Sequence, residues 1–127
     1  MPASTRRALS WLLAVAWAGV IFYASSRPGS TIPGGFSVEG HLGEYFIFGV
    51  VLAAALGDWR PSTRLALIAI AIASLYGVTD ELHQHFTPGR VPDPADWALD
   101  TIGATAGAFA LIGWHRWRDA RRSDDRK

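Results

Sequence analysis

No cysteine occurs in the 127 residues, which removes both a disulfide framework and any metal site built on thiolates. The metalloprotease signature H-E-x-x-H is missing too, and Glu81-Leu82-His83 cannot replace it. No internal repeat or low-complexity tract stands out. Charge is missing from four long stretches: Ala8–Ser26, Tyr45–Gly57, Leu65–Thr79 and Thr101–Trp114. A net charge of +1 is nearly uninformative as a sum, and no nucleic-acid partner is expected from it. The mean hydropathy of +0.16 conceals the segregation of charged from apolar stretches.

A membrane-spanning helix takes roughly 20 mostly apolar residues, with about 17 as the lower limit. Ala8–Ser26 meets that alone, and the other runs reach it by taking in a few ionisable residues at one end. The expectation is a single domain over 1–127, all-α, with four spans at about 8–26, 38–57, 65–84 and 96–115 and a basic tail over 116–127. Arg6 and Arg7 ahead of the first run, with Tyr23-Ala24-Ser25-Ser26 after it, resemble a signal peptide. The run's 19 residues exceed the usual apolar core of ~7–15, so retention as a first transmembrane helix is expected.

Between the spans, Arg27–Gly40 reads as a loop and Asp58–Arg64 as a tight polar turn, with Ser62 or Thr63 capping the next helix. Thr87–Pro92 must break the third helix, because Pro88, Gly89 and Pro92 crowd into it. Asp93 then reads as an N-cap, with Pro94 at the first helical position and Asp96 at the third. The tail is expected as a frayed helix on the membrane surface, touching anionic lipid. Trp59, Trp97, Trp114 and Trp117 fall at the expected interfaces, as an aromatic belt would.

Four spans with both termini in the cytoplasm put ten lysines and arginines inside: Arg6, Arg7, Arg60, Arg64, Arg116, Arg118, Arg121, Arg122, Arg126 and Lys127. Only Arg27 and Arg90 are left outside, the bias the positive-inside rule demands. Counting 1.5 Å per residue from the inner ends puts Glu44, Asp80 and Asp100 all about 6–9 Å below the outer surface. His41, Glu81 and His83 come slightly higher. One extracytoplasmic polar pocket is the expectation.

Helical spacing sorts these side chains into faces. Tyr76, Asp80, His83 and Gln84 share one face of the third helix, with Glu81 and His85 beside them. His41, Glu44, Tyr45 and Phe48 share a stripe on the second; Asp96, Asp100, Gly103 and Gly107 share one on the fourth. Asp93 and Asp96 suit a helix N-terminus without further role. Asp80, at the C-terminal end of its helix, has the dipole against it and needs a partner: Arg90, a histidine or a bound cation. Ionisable residues inside spans read as a functional site. The candidate ligand-binding set is therefore His41, Glu44, Tyr45, Tyr76, Asp80, Glu81, His83, Gln84, Arg90, Asp96 and Asp100. His41, His83, Glu44 and Asp80 are of types that suit zinc or manganese, though no complete ligand set is visible and the metal question stays open.

His41-x-x-Glu44-Tyr45, Tyr76-Gly77, Asp80-Glu81-x-His83-Gln84, Pro88-Gly89-Arg90 and Asp96 with its glycine-containing helix resemble the VanZ-like family of small integral membrane proteins. The resemblance covers about residues 10–115. Many members have a lysine shortly before the histidine and an asparagine where Asp100 stands, so this chain is locally more acidic. The resemblance implies a cell-envelope role, with the named member linked to low-level resistance to the lipoglycopeptide antibiotic teicoplanin.

The preferred reading is a non-transporting, multi-pass protein of the cell membrane whose pocket engages a lipid headgroup or a membrane-anchored ligand. The alternative is an enzyme acting on a lipid-linked phosphate or sugar, with Asp80, Glu81 and His83 as catalytic candidates for acid–base or metal-assisted work. No nucleophile is visible for it. A proton-linked transporter lacks a relay, since the ionisable residues keep to the outer third. The oligomeric state is not legible.

Overall fold

The computed structural model describes residues 1–28 and 36–127, with the side chains of Phe36 and Ser37 excepted. The described residues form four α-helices and no strand: α1 (Ala3–Ser26), α2 (Phe36–Gly57), α3 (Thr63–His85) and α4 (Pro94–Asp124). The part of the first connecting loop at 29–35 lies outside the described residues.

The helix ends follow local chemistry. Ser62 accepts the Leu65 amide at the start of α3, and Asp93 accepts the Ala95 amide ahead of Pro94. α3 stops at His85, and Gly89 takes the left-handed backbone (φ 73°) that the following turn requires. Between α2 and α3, Asp58 and Trp59 also adopt positive φ, 49° and 69°. Trp59 is held there by its indole, which donates to Ser10 Oγ at 2.8 Å. The basic segment is helical: α4 runs unbroken to Asp124, so most of it continues the fourth helix.

α1, Val38–Gly57 of α2 and α3 are each long and apolar enough to cross a membrane. α4 does not join them, because glycine, threonine and two aspartates dilute its apolar stretch. Large apolar side chains also point outward: Leu12, Val15, Leu75 and Leu82 are each more than 60% exposed. Three helices apolar outside as well as inside mark a membrane protein.

The core is built from small residues. Ala53, Ala55, Ala66, Ala69, Ala73, Ala104 and Ala108 are fully buried, with Tyr45, Phe48, Leu52 and Ile112 filling between them. α2 and α4 pack most extensively. A Cβ on Gly107 would strike the carbonyl oxygen of Phe46, and one on Gly103 would come within 2.6 Å of that of Leu42. The expected glycine stripe on the fourth helix thus brings two backbones together, as small-residue stripes do in lipid.

At the end carrying both termini, Arg6 holds Asp58 by two hydrogen bonds of 2.7 and 2.5 Å, and Arg60 holds Asp119 at 3.1 and 3.4 Å. These guanidinium bonds keep both carboxyls below the ordinary aspartate value. The ionisable residues inside the apolar segments gather at the other end.

Candidate functional site

Two polar groups lie side by side there. The first centres on Asp80, one turn before the end of α3 and only 5% exposed. Ser25 donates to its Oδ1, and the Tyr45 hydroxyl to its Oδ2 at 3.4 Å. Gln84 donates to Ser25 Oγ at 3.1 Å, and Thr87 to the Ser25 carbonyl at 3.2 Å. Tyr76 reaches the Ala18 carbonyl at 2.7 Å, and His83 Nε2 is 2.8 Å from Ser26 Oγ. The stripe Tyr76, Asp80, His83, Gln84 is one face, and it faces α1.

Of the partners expected for Asp80, namely Arg90, a histidine or a bound cation, none hydrogen-bonds it among the described residues, where the hydroxyls of Ser25 and Tyr45 do. Arg90 is turned elsewhere, donating to the carbonyls of Ala24 at 2.9 Å and Arg27 at 3.2 Å. The C-terminus of α1 leaves carbonyls without helical partners, and a guanidinium satisfies two of them.

The second group centres on His41, which α2 carries into the face of α4. Its Nδ1 lies 2.6 Å from Asp100 Oδ1, and its Nε2 lies 3.7 Å from Asp96 Oδ2. Asp100 is fully buried. Glu81 comes from α3 and accepts the Asp93 amide on Oε2 at 3.0 Å. One ligating atom each of His41, Glu81 and Asp100 lies within 4.8 Å of the others. Glu44 is half-buried close by, and its backbone carbonyl accepts the Trp17 indole at 2.8 Å.

The deep members, His41, Tyr45, Asp80, Gln84 and Asp100, are packed in the interior, while Glu44, Glu81, His83, Arg90 and Asp96 form a half-buried rim. His85 is exposed and belongs to neither group. α1 contributes what the sequence reading overlooked: Ser25, Ser26 and Trp17. The available signal was a pair of hydroxyls closing an apolar run, which also fits a cleavage site.

These features define a small all-helical membrane protein with a polar cluster gathered at one end of its bundle. A family model, VanZ/LLP1, matches residues 38–115, more than half of the chain, and the protein belongs to that family. The matched segment holds nearly all of α2, α3 and most of α4, and so every candidate residue. No curated protein and no solved structure matches the chain.

Proposed function

We propose that this is a multi-pass protein of the cell envelope, with both termini cytoplasmic and α4 as a fourth span, whose polar cluster binds an anionic lipid headgroup or a membrane-anchored ligand. Lipoglycopeptide antibiotics such as teicoplanin are among the ligands the reading admits. The observation that carries it is the meeting of four helices at one end through ionisable and hydroxyl side chains: Ser25 with Asp80, and His41 with Asp100 at 2.6 Å. Such groups are expensive beside apolar helices, and a binding task accounts for their placement there. The charge distribution supports the orientation, since the basic residues concentrate at the opposite end. Arg90 has donors beyond the two that serve α1, and these suit a phosphate oxygen at the rim.

Native mass spectrometry of gently extracted protein tests this reading. The wild type should retain phospholipid or lipid-linked adducts that Arg90→Ala and Asp80→Asn retain less well. Identical adducts on all three proteins would remove the cluster from ligand binding.

A further inference from the structure

We propose that His41, Glu81 and Asp100 form a site for one divalent metal ion, of the zinc or manganese type, where the outer ends of α2, α3 and α4 meet. Two carboxylate oxygens carry the inference. Glu81 Oε1 and Asp100 Oδ2 are both buried, and neither has a hydrogen-bond partner among the described residues. A buried, unsatisfied carboxylate oxygen is costly, more so than a neutral polar atom, so two in one small region call for a cation between them. Asp100 has no exposed surface, so bulk solvent does not reach it.

The surrounding residues aim these oxygens. The Asp93 amide holds Glu81 Oε2 at 3.0 Å and leaves Oε1 as the free oxygen. Asp100 Oδ2 points to α3 at Gly77, 3.1 Å from where a Cβ would stand, and Gly77 lies one turn before Glu81 on the same side. A side chain there would crowd Asp100, and the glycine leaves the space.

His41 completes the set. Its Nδ1 lies within hydrogen-bond distance of Asp100 Oδ1, at 2.6 Å. With the ion bound, Nδ1 offers its lone pair and the ring proton resides on Nε2, where Asp96 Oδ2 waits at 3.7 Å. A carboxylate behind the imidazole of a metal ligand is the usual outer-shell support, and Asp96 is thereby a positioning residue. One imidazole and two carboxylates suit zinc or manganese, and the absence of thiolate argues against softer ions. Zinc takes four ligands, so three from the protein leave a coordination position for an oxygen donor. The metal site stands on this geometry alone and does not depend on headgroup binding.

The test uses full-length protein in lipid-free detergent, stripped with chelator and titrated with Mn2+ or Zn2+. Free Mn2+ is followed by electron paramagnetic resonance and bound zinc by elemental analysis. One equivalent per chain is expected, with affinity about 10–100-fold weaker in Glu81→Gln and in Asp96→Asn. His85→Ala, which removes an exposed histidine, should bind as the wild type does. Glu81 is half-buried, so Glu81→Gln decides the matter if Asp100→Asn fails to fold. Less than one equivalent in the wild type, or undiminished affinity in Glu81→Gln, overturns the proposal. Because no lipid is present, neither result bears on headgroup binding.

Discussion

His41 and Asp100 stand 59 positions apart in the chain, yet His41 Nδ1 and Asp100 Oδ1 meet at 2.6 Å inside the bundle. Each is almost completely buried, so neither can turn to water if the other is lost. His41→Ala should therefore lower stability by about 3 kcal/mol, most of it from the stranded carboxylate. Asp100→Asn keeps an acceptor for the imidazole and should lose only about 1 kcal/mol. Unfolding of both variants in detergent measures the difference, and equal losses would mean that this bond is not what ties α2 to α4.

The same two helices give a steric prediction. A methyl group on Gly107 meets the backbone carbonyl of Phe46, which cannot swing aside as a side chain would. Gly107→Ala should destabilise by about 1–3 kcal/mol through forced separation of the helices. Gly113, further along α4, has nothing within 4 Å of its Cβ position. Gly113→Ala should be neutral or stabilising by up to about 1 kcal/mol, since alanine favours the helix. Thermal unfolding of the pair separates packing from helix propensity.

Acid should weaken the other end of the bundle. Hydrogen bonding to Arg6 holds the Asp58 carboxyl below its ordinary 3.8, so the folded state binds this proton less readily than the unfolded chain. The resulting stabilisation is fully present above that ordinary value. It fades as the pH falls through the lower, folded-state value. Asp58→Asn should flatten the acid limb of a plot of melting temperature against pH, by a small amount because the pair is solvent-exposed. High salt should shrink the difference further. An unchanged acid limb would leave Arg6 and Asp58 with no part in it.

Orientation can be checked directly, because the absence of native cysteine makes single replacements clean reporters. With α4 as a fourth span, Pro88→Cys should react with an impermeant thiol reagent on intact cells, and Ser123→Cys only after permeabilisation. If α4 instead stays on the outer side, both positions label from outside. That outcome would return the chain to three spans.

The helical architecture was legible because its causes are local. Apolar runs of spanning length, Ser62 and Asp93 at helix starts, and Gly89 after α3 all act within a few residues of themselves. The pairing of acids with partners was less legible. The position of Asp80 at a helix C-terminal end calls for a partner, and Ser25 and Tyr45 supply it, with Ser25 55 positions away. Charge alone points to Arg90, a histidine or a bound cation, whereas the Arg90 guanidinium serves the Ala24 and Arg27 carbonyls at the end of α1. The basic segment is legible as a helix, but its continuation of α4 without a break to Asp124 is not. Polar composition marks a segment as solvated without saying whether it leaves the helix.

By itself the sequence determined an all-helical chain with apolar runs of spanning length, of which three stand as helices fit to cross a membrane. It also determined the separation of basic from acidic ends and which helix faces carry polar groups, since composition and a 3.6-residue period are properties of neighbours along the chain. Tertiary structure alone decided that Asp80 would meet hydroxyls and His41 would meet Asp100, because these contacts depend on how helices rotate and approach. That approach is set by the spots where Gly103 and Gly107 let two backbones close together.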